Sequence, residues 1–117
     1  MDIKEIAEDI AALNRAGKFD EAGEKYWSED VVSLEPQEGP HSHCRGIEAV
    51  RAKSAWFSSV SELHGVEVEG PFVHGDQFIL RFVMDFTRKD IDTRITMAEM
   101  GLYTVRDGKV VEERFFY

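Results

Sequence analysis

The stretch QFILRFVMDFTR, residues 77–88, alternates apolar and mixed side chains along its whole length. Its even-numbered positions from 78 to 86 are all apolar: Phe78, Leu80, Phe82, Met84 and Phe86. A period of two is that of a β-strand, whose successive side chains point to opposite faces of the sheet. The pattern therefore predicts a strand whose even-numbered face packs against the rest of the protein.

Three more strand-like runs surround this one. Residues 93–106 and 109–117 are separated by Asp107-Gly108, the strongest hairpin signal in the chain. A shorter alternating run at 66–69 stops at Gly70-Pro71, where we expect a bend or a break in the strand. The second half of the chain therefore predicts an antiparallel sheet.

The first half has helical periodicity instead. The predicted elements, in chain order, are a helix from residue 3 to a stop near Gly17, a helix over 20–26, a strand over 30–35, a loop over 37–46 and a helix over 47–58. The side chain of Asp20 can cap the second helix. Helices first and an antiparallel sheet second predict one α+β domain of residues 1–117.

Composition limits the partners. The chain has 117 residues, 14 lysines and arginines, and 23 aspartates and glutamates, so its formal net charge is −9. A nucleic-acid partner needs a basic face, and we expect none. No apolar run reaches the roughly 20 residues that cross a bilayer. We expect no signal peptide, because no basic segment leads into a hydrophobic one after Met1. We therefore expect a cytoplasmic protein without a membrane partner, and Cys44, the only cysteine, excludes an internal disulfide.

Alternation in the last strand places an acid inside. Val111, Phe115 and Tyr117 are expected to point inward, and Glu113 shares their face. An inward glutamate is costly unless it is paired or functional. Glu99 lies on the inward face of the preceding strand by the same argument.

Four segments resemble one protein family: AALNRAG at 11–17, WSEDVV at 27–32, GIEAV at 46–50 and DGKVVEE at 107–113. They are similar to the SnoaL-like group of the nuclear transport factor 2-like (NTF2-like) superfamily, which includes ketosteroid isomerases and polyketide cyclases. The resemblance implies a cystatin-like α+β cone, with three helices from the first half packed on a curved antiparallel sheet. It also implies a cavity that works without a cofactor.

The isomerase branch supplies a candidate base. Its base is a carboxylate before a proline at the end of the first strand, which Glu35-Pro36 matches. Its two oxyanion donors, a tyrosine of the first helix and a neutral aspartic acid of the penultimate strand, correspond here to Asp9 and Gly101. The usual constellation is therefore incomplete, since an enolate needs stabilising donors.

Other residues are candidates for the missing donor. Glu99 and Tyr103 lie two residues to either side of Gly101 on the same face, and His43 lies in the loop. The resemblance thus implies Glu35 as the base, with Glu99, Tyr103 or His43 as the donor. The alternatives are a solvated Glu35 and a surface role for Glu99.

The loop carries His41, His43 and Cys44 close together. Such side chains can ligate zinc together with Glu35 or Glu38, but no fourth ligand stands at a recognised spacing, so we predict no metal. A histidine at the cavity mouth suits a proton shuttle, because its pKa lies near neutrality. Ordinary loop residues are the alternative.

The candidate ligand pocket combines aromatic and soft side chains with one acid: Trp27, Trp56, Phe82, Met84, Phe86, Met97, Glu113, Phe115 and Tyr117. Plain core packing is the alternative for each of the apolar residues, and a salt bridge to a nearby arginine for Glu113. Together they predict a small hydrophobic or aromatic organic ligand.

Two function classes follow, and a third rests on the outer face of the sheet. The first is an enzyme of isomerase, cyclase or dehydratase type that moves a proton beside a carbonyl, and the second is a non-catalytic ligand-binding protein. The third is an association domain, because an uncharged patch faces outward: Thr96, Ala98, Met100, Leu102, Thr104, Ile79, Val83, Val110 and Phe116. Contiguous apolar patches usually mark interfaces, so we expect a homodimer.

Overall fold

The computed structural model describes residues 1–117 as three helices and one six-stranded sheet. The helices are α1 (Ile3–Arg15), α2 (Phe19–Tyr26) and α3 (Ile47–Val60). The strands are β1 (Trp27–Leu34), β2 (His43–Arg45), β3 (Ser61–His74), β4 (Gln77–Arg88), β5 (Thr93–Arg106) and β6 (Lys109–Phe116). The predicted α+β class, with three helices before most of the sheet, is confirmed.

The sheet has the order β2-β1-β6-β5-β4-β3. All neighbouring strands are antiparallel except β1 and β6, which run parallel. The expectation of a wholly antiparallel sheet is wrong at this one pair, because no hairpin joins β1 to β6. Pairing Ser33 with Glu113 brings the end of the first strand beside the end of the last.

The core lies between α1 and the sheet. The even-numbered residues of β4 from Phe78 to Phe86 are all buried, which confirms the predicted apolar face. Ile6, Ala7, Ile10 and Ala11 form the buried stripe of α1, at helical spacing. Asp2 begins this helix by accepting a hydrogen bond from the amide of Glu5 at 2.9 Å.

Several predicted boundaries differ from the observed ones. The first strand starts at Trp27 rather than Asp30, and the predicted loop contains the short strand β2. β3 continues through Gly70-Pro71 without the break that was one of the two expectations, and its register against β4 shifts there, between Glu69 and Phe72. No helix is long and apolar enough to span a membrane.

Asp20 does not cap α2, contrary to the prediction. The N-cap is Lys18, whose side chain makes no capping hydrogen bond. The carboxylate of Asp20 instead accepts hydrogen bonds from the hydroxyls of Ser54 and Ser58, which ties α2 to α3.

A bulge in β6 overturns the predicted orientation of two valines. The register of β5 and β6 shifts between Thr104 and Val105, so Val110 pairs with Val105 while Glu113 pairs with Tyr103. Val110 is 2% exposed and belongs to the core, not to the outer face. Val111 is the extra residue of the bulge and does not take the inward position expected for it.

Packing of α2 against β1 depends on the absence of a side chain at Gly23. A Cβ atom built there would lie 2.2–2.5 Å from three ring atoms of Trp27. The indole therefore occupies the space directly beside the helix backbone. Because Trp27 also lines the cavity described below, Gly23 helps to place a wall of that cavity.

Substituting Gly23→Ala should destabilise the protein, although alanine normally favours a helix by about 1 kcal/mol over glycine. The clash with Trp27 wins, because overpacking a core costs about 1–3 kcal/mol. Urea unfolding measures the net loss. Gly65→Ala is the matched control, since nothing lies within 4 Å of a Cβ at that position. Equal or greater stability of Gly23→Ala would contradict this account of the packing.

Candidate functional site

A cavity of about 680 Å³ opens between the helices and the inner face of the sheet. Of the 31 residues that line it, 17 are hydrophobic. All nine residues of the predicted ligand pocket lie in this wall: Trp27, Trp56, Phe82, Met84, Phe86, Met97, Glu113, Phe115 and Tyr117. Glu35, Glu99 and Tyr103 line it as well. The cavity is therefore apolar, with acids and phenols grouped on one wall.

Glu113 is held from two sides. The hydroxyl of Ser33 donates to its Oε1 at 2.9 Å, and the indole of Trp27 donates to its Oε2 at 3.4 Å. Burial raises the pKa of Glu113, while the positive charge of Lys53 and these two hydrogen bonds oppose the rise. The surface salt bridge considered from the sequence does not form, since β6 turns Glu113 toward the cavity.

Glu35 has both carboxylate oxygens engaged. Lys53 donates to Oε2 at 2.8 Å, and the hydroxyl of Tyr117 donates to Oε1 at 2.9 Å. Lys53 also donates to the hydroxyl of Ser33 at 2.7 Å and lies 5.1 Å from the ring centre of Phe115. The ammonium thus connects Glu35 to the Ser33–Glu113 pair, and neither Lys53 nor Glu35 is a freely solvated side chain.

Glu99 differs from the other two acids, because its carboxyl group makes no hydrogen bond or ion pair within the protein and lies in the cavity wall. Burial raises its pKa to about 7, and repulsion by Glu35 and Glu113 adds to the rise, while Lys53 opposes it. Glu99 therefore changes charge near neutral pH.

Tyr103 is buried beside these acids. Its ring stacks on Phe78 at 4.8 Å between centroids and meets Phe115 edge-on at 6.3 Å. Burial, followed by the charges of Glu113, Glu99 and Glu35, raises the pKa of Tyr103 well above its usual value. The phenol is therefore neutral and makes no hydrogen bond within the protein, so its O–H is free to donate.

Gly101 makes room for that phenol. A Cβ at this position would lie 2.9 Å from Cε2 and 3.0 Å from the hydroxyl oxygen of Tyr103. The ring therefore leans over Gly101 in the direction of Glu99. The sequence resemblance aligned Gly101 with an acidic donor, and the hydroxyl of Tyr103 occupies the space where a side chain at 101 would begin.

His43 lies outside the cavity, contrary to the prediction that it serves as a donor there. β2 alternates, so Cys44 points inward and is buried while His43 is exposed. His43 lines a second depression with Arg45 and Arg114, which shares Glu35 with the cavity wall. No three His, Cys, Asp or Glu side chains converge as metal ligands.

Trp56 lines the cavity and is 38% exposed, so it lies where the cavity meets solvent, which we call the mouth. His41 lies against one side of its ring, with 5.0 Å between the ring centres, and the guanidinium of Arg88 lies 4.9 Å from the ring centre. Asp90 holds Arg88 through two hydrogen bonds of 2.7 and 2.8 Å. His41, rather than His43, is thus the histidine of the mouth.

Sequence reasoning missed Lys53 and Asn14, which line the cavity, and Ser33, which links Lys53 to Glu113. A signal existed for Lys53, which follows Val50 by three residues and so shares the inward face of its helix. For Ser33 the signal was its position two residues before Glu35 on an alternating strand. Asp9, aligned with the donor tyrosine of the isomerases, binds Lys25 and Tyr26 and does not line the cavity.

Comparisons with known proteins agree with this architecture. A Mesorhizobium loti protein, called both a candidate SnoaL-like polyketide cyclase and a carbohydrate phosphatase, is 50% identical to this chain. The comparison covers 100% of both chains, with a TM-score of 0.96. A candidate SnoaL-like polyketide cyclase from Jannaschia sp. CCS1 is 16% identical, with 96% of this chain and 85% of the other covered and a TM-score of 0.75.

A Catenulispora acidiphila protein of ketosteroid isomerase-like fold, in complex with trimethylamine, is 18% identical, with 97% of this chain and 85% of the other covered and a TM-score of 0.76. The two distant structures establish the fold alone. No functionally curated protein matches the chain. The SnoaL-like domain profile matches residues 1–117. With this match over its whole length and a half-identical relative of the same fold, the chain belongs to the SnoaL-like family.

Proposed function

We propose that this protein binds a small, largely apolar carbonyl compound and moves a proton beside the carbonyl without a cofactor, as an isomerase, cyclase or dehydratase does. The observation that carries the proposal is Glu99, an unpartnered carboxyl group in an apolar cavity, with a pKa raised to about 7. A general base works best when its pKa lies near the operating pH.

Glu99 takes the role of base, and Tyr103 that of donor. The carboxylate accepts the proton from the carbon next to the carbonyl, and the bonding electrons move onto the carbonyl oxygen. The neutral phenol of Tyr103 then donates a hydrogen bond to the negative oxygen, which stabilises the transition state. Glu99 returns the proton at another atom of the substrate, so the protein is unchanged.

Glu35 receives a different role from the one that the resemblance implies. Each of its two oxygens already accepts a hydrogen bond, from Lys53 and from Tyr117, whereas the carboxyl group of Glu99 has no partner within the protein. We assign to Glu35 the electrostatic task of raising the pKa of Glu99 by repulsion. Its position before Pro36 matches the isomerase base, while its contacts favour this supporting task.

The cavity favours catalysis over the rival functions. A non-catalytic binding protein for apolar ligands has no use for an unpaired acid beside a free phenol, because both groups cost stability when buried. A phosphate ester, the substrate class of a carbohydrate phosphatase, would meet three glutamates and a lysine already engaged by Glu35. A neutral carbonyl compound meets no such repulsion.

Exchange of α-protons in heavy water tests the proposal without knowledge of the natural substrate. The probe is 1-tetralone, a bicyclic ketone whose C2 protons exchange for deuterium, followed by proton NMR. The wild-type protein should accelerate the exchange, with a rate that increases with pH through about 7. Glu99→Gln should lower this acceleration by about 10²–10⁴-fold, the usual contribution of a general base.

The matched control for this exchange is Glu112→Gln, which makes the same change on the outer face of β6. It should retain full exchange. Exchange that persists in Glu99→Gln, or wild-type protein that binds 1-tetralone without accelerating its exchange, would contradict the proposed function.

Stability should fall as pH rises, because Glu99 binds its proton more tightly in the folded than in the unfolded protein. The pKa in the fold is about 7 against 4.5 unfolded, so the favourable proton is lost as pH passes through 7. Relative to Glu99→Gln, the wild type should lose roughly 2 kcal/mol of unfolding free energy between about pH 5.5 and about pH 8. Urea titrations at both pH values measure this loss. An equal change in unfolding free energy for the wild type and Glu99→Gln between the two pH values would contradict the prediction.

We also propose a homodimer through the outer face of the sheet. Strand register places Ile79 beside Leu102, Val83 beside Ala98, and Met100 between Arg81 and Phe116. Met100 and Phe116 are each 45% exposed, an unusual exposure for large apolar side chains on a strand. Salt bridges such as Arg94–Asp85 at 2.8 Å neutralise charges at the edge of this patch.

Leu102→Glu should convert the dimer into monomers or aggregates, since a twofold axis near the patch centre would bring two new carboxylates together. Light scattering at micromolar concentration measures the mass of both proteins. The control, Glu67→Gln, alters an exposed residue of β3 at the sheet's edge and should leave the mass unchanged. A monomeric wild type would refute the dimer.

A further inference from the structure

Asn14 is a buried polar residue that no contact within the protein explains. It is 5% exposed and occupies the last turn of α1, following Ile10 on the stripe that faces the cavity. Its backbone carbonyl accepts a hydrogen bond from Gly17, but its side-chain amide makes no hydrogen bond within the molecule. The remaining neighbour of this amide is the cavity.

The amide of Asn14 is open to the cavity, because the side-chain atoms that are closed off without a hydrogen bond are the hydroxyl oxygens of Ser28 and Ser61. The large majority of buried side-chain polar groups have a hydrogen-bond partner, and a leucine of similar size would suit this apolar stripe better. A polar side chain kept at such a position therefore indicates a partner that enters the cavity. The amide offers two N–H donors and one carbonyl acceptor, and it carries no charge.

Asn14 and the acids lie on separate parts of the wall. α1 packs mainly on β3, whereas Glu99 and Tyr103 lie on β5, and β4 separates these two strands. Two strand spacings amount to about 10 Å. β4, the strand between them, contributes the apolar side chains of Phe82, Met84 and Phe86 to the cavity wall.

We infer that Asn14 is a specificity-determining residue that binds an uncharged hydroxyl or carbonyl group at the end of the substrate opposite the reacting carbonyl. The substrate class is thus a neutral compound with an apolar body about the length of two fused rings and a polar group at each end. The identity of the reacting end rests on the proposed function. The contact at Asn14 does not, because binding alone reveals it.

Two matched probes test this contact. 6-Hydroxy-1-tetralone differs from 1-tetralone by one hydroxyl group at the far end of the ring system. Quenching of the fluorescence of Trp27 and Trp56, both in the cavity wall, measures the dissociation constants. Wild-type protein should bind the hydroxylated ketone about 5-fold more tightly, which corresponds to one ordinary hydrogen bond.

Asn14→Leu should bring the two dissociation constants together by weakening the binding of 6-hydroxy-1-tetralone alone. Because the amide has no partner in the free protein, this variant should melt at the same or a higher temperature than the wild type. Ile10→Val is the control, since it alters the cavity wall one turn away without removing a hydrogen-bonding group. It should retain the 5-fold preference.

Three results would overturn the inference: equal affinities in the wild type, a preference that survives in Asn14→Leu, or no saturable binding of 6-hydroxy-1-tetralone. A lower melting temperature for Asn14→Leu would assign the amide to structure instead. The proposed function fails separately, since its failure is an absence of α-proton exchange. A preference that depends on Asn14 without exchange would sustain this inference and refute the catalytic role.

Discussion

The arrangement of the site depends on one ammonium group among three carboxylates. Lys53 binds Glu35 directly and reaches Glu113 through the hydroxyl of Ser33. Burying several carboxylates in an apolar cavity is prohibitive unless positive charge or hydrogen bonds compensate them. A single lysine contacts Glu35 and, through Ser33, Glu113, but it makes no ion pair with Glu99. Burial therefore raises the pKa of Glu99, and repulsion by Glu35 and Glu113 adds to the rise.

Strand geometry makes this arrangement possible. Positions 99, 101 and 103 share the inner face of β5, and the bulge in β6 turns Glu113 toward the same face. The missing side chain at Gly101 lets Tyr103 lean toward Glu99. An acid, a phenol and a second acid thus come to one wall by the alternation of two paired strands, with a helix supplying only the lysine.

The fold was largely predictable, because it depends on periodicity. Residues 78–86 alternate without a defect and Asp107-Gly108 predicts a hairpin, so the buried face of β4 and the turn between β5 and β6 followed from the sequence. The inward orientation of the Val110 side chain was not predictable, since the bulge in β6 interrupts the alternation and no residue type in the sequence indicates it. His43 was misplaced because β2 is a three-residue strand inside a loop whose composition indicates no strand.

The site was less predictable than the fold, because hydrogen bonds between distant elements decide it. Lys53 and Glu35 are 18 positions apart in the chain, and no local sequence pattern predicts an ion pair over that separation. The absence of a partner for Glu99 cannot be predicted from a local pattern either. Three of the polar side chains that have no hydrogen-bond partner are not scattered at random over the protein. Asn14, Glu99 and Tyr103 come from two distant parts of the sequence, yet their polar groups lack partners around the same cavity. Stability alone would favour apolar residues at all three positions, so their convergence argues that a ligand with complementary polar groups completes this structure.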